Sequence, residues 1–220
     1  TAIFFTSDNG LFYGEHRVVL QKLYPYDEAL RVPLLAHIPP AYLAGDTPPN
    51  TVSAPVTNVD LTATILALAG APPCDEQGRC RTLDGRSLLP LLGGPGPAFP
   101  KQRAILSEVG NRLCGSVPIP GAGIKNQYDA IRTRNQLYVE LNRRDPATGA
   151  CDRPEYELYD LTEDPFQLKN IAVNPANKTP SALQAGLANR LHQLARCAGV
   201  AGRDPQTLEG EYQTPRPYCE

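Results

Sequence analysis

Three short groups near the start of the chain carry side chains able to do chemistry together. Asp8 and Asn9 follow an apolar run, Gly14-Glu15-His16-Arg17 comes next, and Lys22 closes the stretch. Asp offers a charged oxygen and Asn a neutral carbonyl oxygen. Such a pair suits a hard cation such as calcium, which takes ~6–8 oxygen ligands. Two ligands do not complete a site, so the other donors must come from elsewhere. Lys22 is a compact ammonium on a flexible stem, suited to a tetrahedral oxyanion as a point charge. Each signal alone has a plainer reading. Asp-Asn-Gly is a turn, a single Lys is commonly a solvated surface residue, and a single His is commonly a hydrogen-bonded structural one. The case lies in their order and spacing.

The elements that must position these residues are readable from periodicity. Residues 2–7 are apolar on both parities, which predicts a short strand of a parallel sheet covered on both faces. The run breaks at Asp8-Asn9-Gly10, so the polar pair leaves the carboxyl end of a strand, where functional groups of α/β sheets gather. A second strand is expected over residues 32–38. Thr57 reads as an N-cap with Asp60 three residues on, and Leu61, Ile65 and Leu68 form one helical face. Asp60 reads only as a helix N-terminal charge.

Gly93-Gly94-Pro95-Gly96-Pro97 marks a boundary, and beyond it the texture changes. Residues 104–107, 128–133, 137–141 and 156–159 read as strands, the middle two flanking a tight turn at Arg134-Asn135-Gln136. Their alternation predicts an antiparallel sheet with one covered face. The cover is a helix capped by Thr179 with Pro180 at its first position, presenting Leu183, Leu187, Leu191 and Leu194. The fold class is therefore α/β. Residues 1–98 form an α/β portion, residues 99–200 a small α+β subdomain (an antiparallel sheet plus one long helix), and residues 201–220 a tail.

Composition narrows the partners. Against 21 Lys and Arg stand 23 Asp and Glu, a net charge of −2 over 220 residues. There is no basic surplus of the kind a nucleic-acid binder shows, and no apolar run approaches the ~18 residues that span a bilayer. Neither nucleic acid nor membrane is expected as a partner. With no Met and an apolar opening at Thr1, the chain reads as a piece of a longer polypeptide. Six cysteines lie at positions 74, 80, 114, 151, 197 and 219. None forms Cys-x-x-Cys, so disulfides in an exported protein, secreted or periplasmic, are expected rather than a zinc site. The preferred pairs are Cys74 with Cys80, Cys114 with Cys151, and Cys197 with Cys219. Asn177-Lys178-Thr179 is a glycosylation sequon of little weight.

The stretch Thr6-Ser7-Asp8-Asn9-Gly10, Gly14-Glu15-His16-Arg17, Lys22, then Pro25-Tyr26-Asp27-Glu28-Ala29-Leu30-Arg31-Val32-Pro33-Leu34-Leu35 resembles the C-terminal catalytic segment of the sulfatase family (arylsulfatase-like, in the alkaline-phosphatase-like superfamily). Later phrases follow in the same order: residues 58–64, Leu83-Asp84-Gly85-Arg86-Ser87-Leu88, and Glu157-Leu158-Tyr159-Asp160-Leu161 with Asp164-Pro165 and Asn170. The resemblance implies the C-terminal part of an alkaline-phosphatase-like sulfatase domain that hydrolyses sulfate esters with formylglycine and calcium. It implies Asp8 and Asn9 as metal ligands and Lys22 as the contact to the sulfate group and its leaving oxygen. His16 would be a supporting catalytic residue. Arg31 is expected to pair with Asp27, Glu28 or another carboxylate.

The resemblance also has a gap. Formylglycine arises within Cys/Ser-x-Pro/Ala-x-Arg, and none of the six cysteines lies in that context. The nucleophile is therefore expected in a missing N-terminal part of the same protein, and these 220 residues are expected to be inactive alone. The partners implied are that part and a sulfate-ester small molecule or carbohydrate. Two rival readings remain: a phosphonate or phosphate monoester hydrolase of the same superfamily, and a non-catalytic, calcium-stabilised relic or binding module.

Overall fold

The structure, a computed structural model, describes residues 1–43, 49–72, 74, 76–77, 80–100, 102–109, 126–143, 153–201, 203–204, 208–209 and 214–219. Two compact units emerge, each assembled from separated stretches of chain. One comprises residues 1–3, 36–103 and 192–220, and the other residues 4–35 and 104–191. Chain order and spatial grouping therefore differ.

The unit that holds the candidate residues is built on a four-stranded antiparallel sheet. Its strands are β3 (Ile105–Val109), β4 (Asn126–Arg132), β5 (Gln136–Arg143) and β6 (Arg153–Asp160), neighbours in that order. The β4–β5 turn closes as the sequence predicts, with the Thr133 amide donating to the Gln136 carbonyl at 2.9 Å. Register places Tyr128 opposite Leu141 and Ala130 opposite Val139, and Leu137 opposite Tyr159. Directly paired residues share a face, and these six side chains form a buried cluster.

The alternation predicts one covered face, but both are covered. Ile131, Tyr138 and Leu158 lie on the other parity and are equally buried. Tyr138 there meets Gln184 of helix α3 (Ala182–Leu194). Leu187 and Leu191 of α3 are buried as expected, whereas Leu183 is exposed. The helix starts later than Thr179 and Pro180 suggest, because the Ser181 hydroxyl accepts the Gln184 amide at 3.1 Å and takes the capping role.

Strand β1 (Ile3–Thr6) pairs with β2 (Leu34–His37) in a two-stranded sheet. Cover on both faces is not seen among the described residues. Ile3, Phe5 and Leu35 are 57%, 63% and 59% exposed. Between these strands runs a single helical turn, α1 (Asp27–Leu30).

The other unit centres on α2 (Asn58–Leu68), which opens with the expected capping box. The Thr57 amide donates to the Asp60 carboxylate at 2.9 Å. Asp60 does far more than cap. It is fully buried and takes a two-pronged grip from Arg103 at 2.6 and 3.2 Å, plus the Arg86 amide at 2.8 Å. Gly85 lies so close that a Cβ would stand 2.2 Å from the Val59 carbonyl oxygen, and this approach is what lets the Arg86 amide reach Asp60. The helix consequently buries Asp60, Ala63 and Thr64, while Ile65 is exposed. Disulfides join Cys74 to Cys80 and Cys197 to Cys219 as expected. The pair Cys114–Cys151 lies outside the described residues. Short strands β7 (Leu208–Glu209) and β8 (Thr214–Pro215) pair near the end of the chain.

Removing one partner of a buried ion pair leaves the other charged and unmatched, at a cost of roughly 3–5 kcal/mol. We expect Asp60→Ala to lose stability on that scale in urea unfolding. A loss within the ~0.5 kcal/mol usual for surface substitutions would contradict the role assigned to this carboxylate.

Candidate functional site

From the end of β1 the chain turns through Ser7, Asp8 and Asn9. The Ser7 hydroxyl donates to the Asn9 carbonyl at 2.8 Å and fixes the turn. The Asn9 side-chain NH2 donates to the Gly10 carbonyl at 2.9 Å, which leaves its carbonyl oxygen as the acceptor the side chain offers. Gly10 then passes against α1. Its amide donates to the Ala29 carbonyl at 2.9 Å, and a Cβ would stand 1.8 Å from the Glu28 carbonyl oxygen. Only glycine fits there.

Residues 11–22 form a hairpin. The Phe12 amide donates to the Gln21 carbonyl at 3.0 Å, and the Leu20 amide donates back to the Phe12 carbonyl at 2.9 Å. Tyr13 and Val19 pair across it. The tip is tight, with Gly14, His16 and Arg17 at positive φ, and Leu20 on the returning arm is at positive φ too. The Glu15 carboxylate accepts the Tyr13 amide at 2.7 Å. This return path brings Lys22 back beside the turn it left. Its Nζ lies 3.6 Å from an Asp8 carboxylate oxygen. Ser7 to Leu11 and Leu20 to Leu23 line one open concavity, with Asp8, Asn9 and Lys22 among them. The backbone amide of Asn9 holds the Asp8 carboxyl below its usual range, helped by the Lys22 charge. Asp8 is thus a committed anion.

His16 does not line that concavity. It stacks on Tyr26 at 4.0 Å between ring centroids and 10° between planes, with Nε2 3.5 Å from Glu28. The fully buried Phe12 meets His16, Tyr24 and Tyr26 edge-on, each at 6.2 Å. His16 therefore belongs to the packing that supports the hairpin.

That packing rests on the sheet. Register puts Arg132, Glu157 and Tyr159 on the same face as the buried cluster, and Tyr26 and Leu30 pack on it. The Tyr26 hydroxyl donates to the Glu157 carboxylate at 3.1 Å, and the Tyr159 hydroxyl donates to it at 3.2 Å. Burial, then the Glu157 charge, pushes both phenols up. Asp27 receives both prongs of Arg132 at 2.9 Å. Its amide donates to the Gln167 side chain at 3.1 Å. Arg31, expected to hold this corner, acts on Asp27 only as a nearby charge. Arg132 is the partner instead.

Sequence reasoning missed these supports. It quoted the phrase from Glu157 to Asn170 without a reason for it, and the structure supplies one. Asp164 accepts the amides of Leu168 and Lys169, Asn170 accepts the Leu158 amide, and the loop so held delivers Gln167 to Asp27.

Residues 1–71 match the sulfatase family. The chain belongs to that family. It is 30% identical over 235 residues to the N-acetylglucosamine-6-sulfatase of Homo sapiens, covering 97% of this chain and 38% of the relative. It is 31% identical over 215 residues to an arylsulfatase of Volvox carteri, covering 93% of this chain and 31% of the relative. A solved structure in complex with its substrate D-glucosamine-2-N,6-O-disulfate superposes with a TM-score of 0.59 and 27% identity, covering 87% of this chain and 33% of that one. The chain thus spans 38% of the human relative's length and corresponds to the C-terminal part of its relatives. Among its described residues no helix is long and apolar enough to cross a membrane.

The two carboxylates under the hairpin have opposite pH signatures. Burial works against ionising Asp27, but Arg132 outweighs it and holds the group below its ordinary 3.8. The unfolded chain then binds the proton more readily, so this contribution is present above pH 3.8 and lost as pH falls through the lowered value. Glu157 is raised above 4.5 by burial, against the pull of Tyr26 and Tyr159. Its contribution is present below pH 4.5 and lost as pH rises through the raised value. In urea titrations across this range we expect Asp27→Asn to flatten the acid-side loss and Glu157→Gln to flatten the decline on the other side. Unchanged curves would overturn the assignment.

Proposed function

We propose that this chain supplies part of the active site of a sulfatase that hydrolyses sulfate esters of amino sugars. The observation that carries the reading is the convergence of Asp8, Asn9 and Lys22 on one concavity, with ammonium and carboxylate 3.6 Å apart. The amino-sugar class rests on the relatives, one named for N-acetylglucosamine-6-sulfate chemistry and one holding a glucosamine disulfate.

The donor set fits calcium as a part of its shell. An anionic Asp8 and the outward carbonyl oxygen of Asn9 are hard oxygen donors, as that ion requires. Asp8 and Asn9 would fill only part of that shell, and among the described residues no cluster of three or more His, Cys, Asp or Glu is found. When bound, calcium would polarise sulfate oxygens beside a nucleophile that this chain does not provide. Formylglycine is the nucleophile the family resemblance implies, and none of the six cysteines here has its context.

Lys22 has the plainer task. A sulfate monoester arrives as an anion, and its alcohol leaves with growing negative charge on oxygen. An ammonium held in place meets both charges and gains most where charge develops. Asp8 lies beside that ammonium and offsets its repulsion of a neighbouring cation. The S–O bond breaks, water supplies the hydroxyl to sulfur and the proton to the departing oxygen, and sulfate and alcohol result. Two disulfides support an oxidising, exported location.

In the whole protein, Lys22→Ala should lower kcat/KM on a glucosamine 6-sulfate by roughly 10²–10³-fold with its melting temperature unchanged. Turnover at the wild-type rate would refute the role. A matched aryl phosphate assayed alongside tests the phosphoesterase reading, which predicts the larger rate there. Absence of any turnover by wild type would favour the binding module.

A further inference from the structure

We propose that Arg132, far along the chain in strand β4, is a positioning residue for the Asp8–Asn9 pair. The inference deepens the proposed function and rests on that reading of the pair as site residues. The mechanical link can be followed bond by bond. Arg132 grips the Asp27 carboxylate through Nε and Nη2, both at 2.9 Å. Its remaining nitrogen donates to the carbonyls of Thr133 and Arg134 at the β4–β5 turn, so the guanidinium is itself fixed. Asp27 is the first residue of α1, and the Gln167 side chain holds its amide from another loop. Two residues on, the Ala29 carbonyl receives the Gly10 amide at 2.9 Å. Gly10 adjoins Asn9 and Asp8, and its contact with the Glu28 carbonyl leaves no slack for a side chain.

Asp8 and Lys22 cannot serve this purpose for themselves. Their side chains are 80% and 49% exposed, and exposed ion pairs order their partners poorly. Arg132 and Asp27, by contrast, are 19% and 20% exposed. A planar fork in a half-buried setting fixes direction as well as distance. A lysine in its place would keep the charge and lose the second bond.

Amide exchange in the whole protein tests this, read by mass spectrometry for wild type, Arg132→Lys, Arg132→Ala and the milder Asp27→Asn. Exchange in residues 8–12 and 27–31 should quicken roughly tenfold or more in Arg132→Ala, through local opening. Arg132→Lys should fall between it and wild type, and the β4–β5 amides should hold their protection. The calcium concentration that gives half-maximal thermal stabilisation should rise by roughly 10–100-fold, as for partners that orient metal ligands. Unchanged exchange at residues 8–12 in both Arg132→Ala and Asp27→Asn overturns the proposal. An equal rise in every segment also overturns it, because Arg132 would then act on stability at large. A wild type that hydrolyses no sulfate ester sinks the functional reading instead, and leaves the exchange result to stand on its own.

Discussion

Opposite charges exposed to water attract one another too weakly to set their own geometry. The pairing of Asp8 with Lys22 is of that kind, and the catalytic role proposed for Lys22 would tolerate little slack. The order has to come from groups less open to water. Here they are the backbone bonds of the hairpin, Phe12 beneath it, and the corner at Tyr26 and Asp27 seated on the sheet. The site is polar and open at its surface and apolar and closed one layer down.

The sheet face beneath that corner is mixed in character. Leu137, Val139 and Tyr159 bury apolar area on it, and Arg132 and Glu157 place charge at its margin. Apolar packing alone is non-directional and would let the corner slide. The charged groups add a fixed bearing, since guanidinium with carboxylate and phenol with carboxylate both have preferred angles. Burial raises Glu157, and two phenol donors limit how far. This carboxylate trades some stability at neutral pH for a defined contact.

Much of the architecture was legible because its causes are local. Alternation in residues 128–133 and 137–141 with a polar turn between them specifies a hairpin, and leucines spaced along 187–194 specify a helix. That Lys22 would stand near Asp8 was implied by the family resemblance, and the two lie 3.6 Å apart. What was hidden involves partners distant in sequence. Asp27 meets Arg132 across 105 positions, and Tyr26 meets Glu157 across 131. No periodicity encodes such a meeting, so Arg31 was expected to pair with Asp27, Glu28 or another carboxylate, whereas Arg132 makes the two-pronged bond to Asp27 and Arg31 adds only its nearby charge. Asp60 was underread for the same reason, with Arg103 lying 43 positions on. Double cover of the sheet was missed because Tyr138 and Tyr156 count as half-polar in an alternating pattern. Exposure of Ile3 and Phe5 on β1 follows from the one strand paired with it among the described residues.

The buried carboxylate of Asp60 has a bearing on how the chain is made. During synthesis the ribosome releases Asp60 well before Arg103 emerges, and for that interval α2 carries an anion with no cation to meet it. Later contacts within the same unit, from the Gly199 amide to Asp84 and from Arg203 to the Gly85 carbonyl, wait until residues 199 and 203 have emerged as well. Nascent chains stalled before those points would present half-assembled surfaces to chaperones, and a stop codon just before Gly199 would strip this unit of both contacts while leaving the hairpin and its supporting sheet encoded in full.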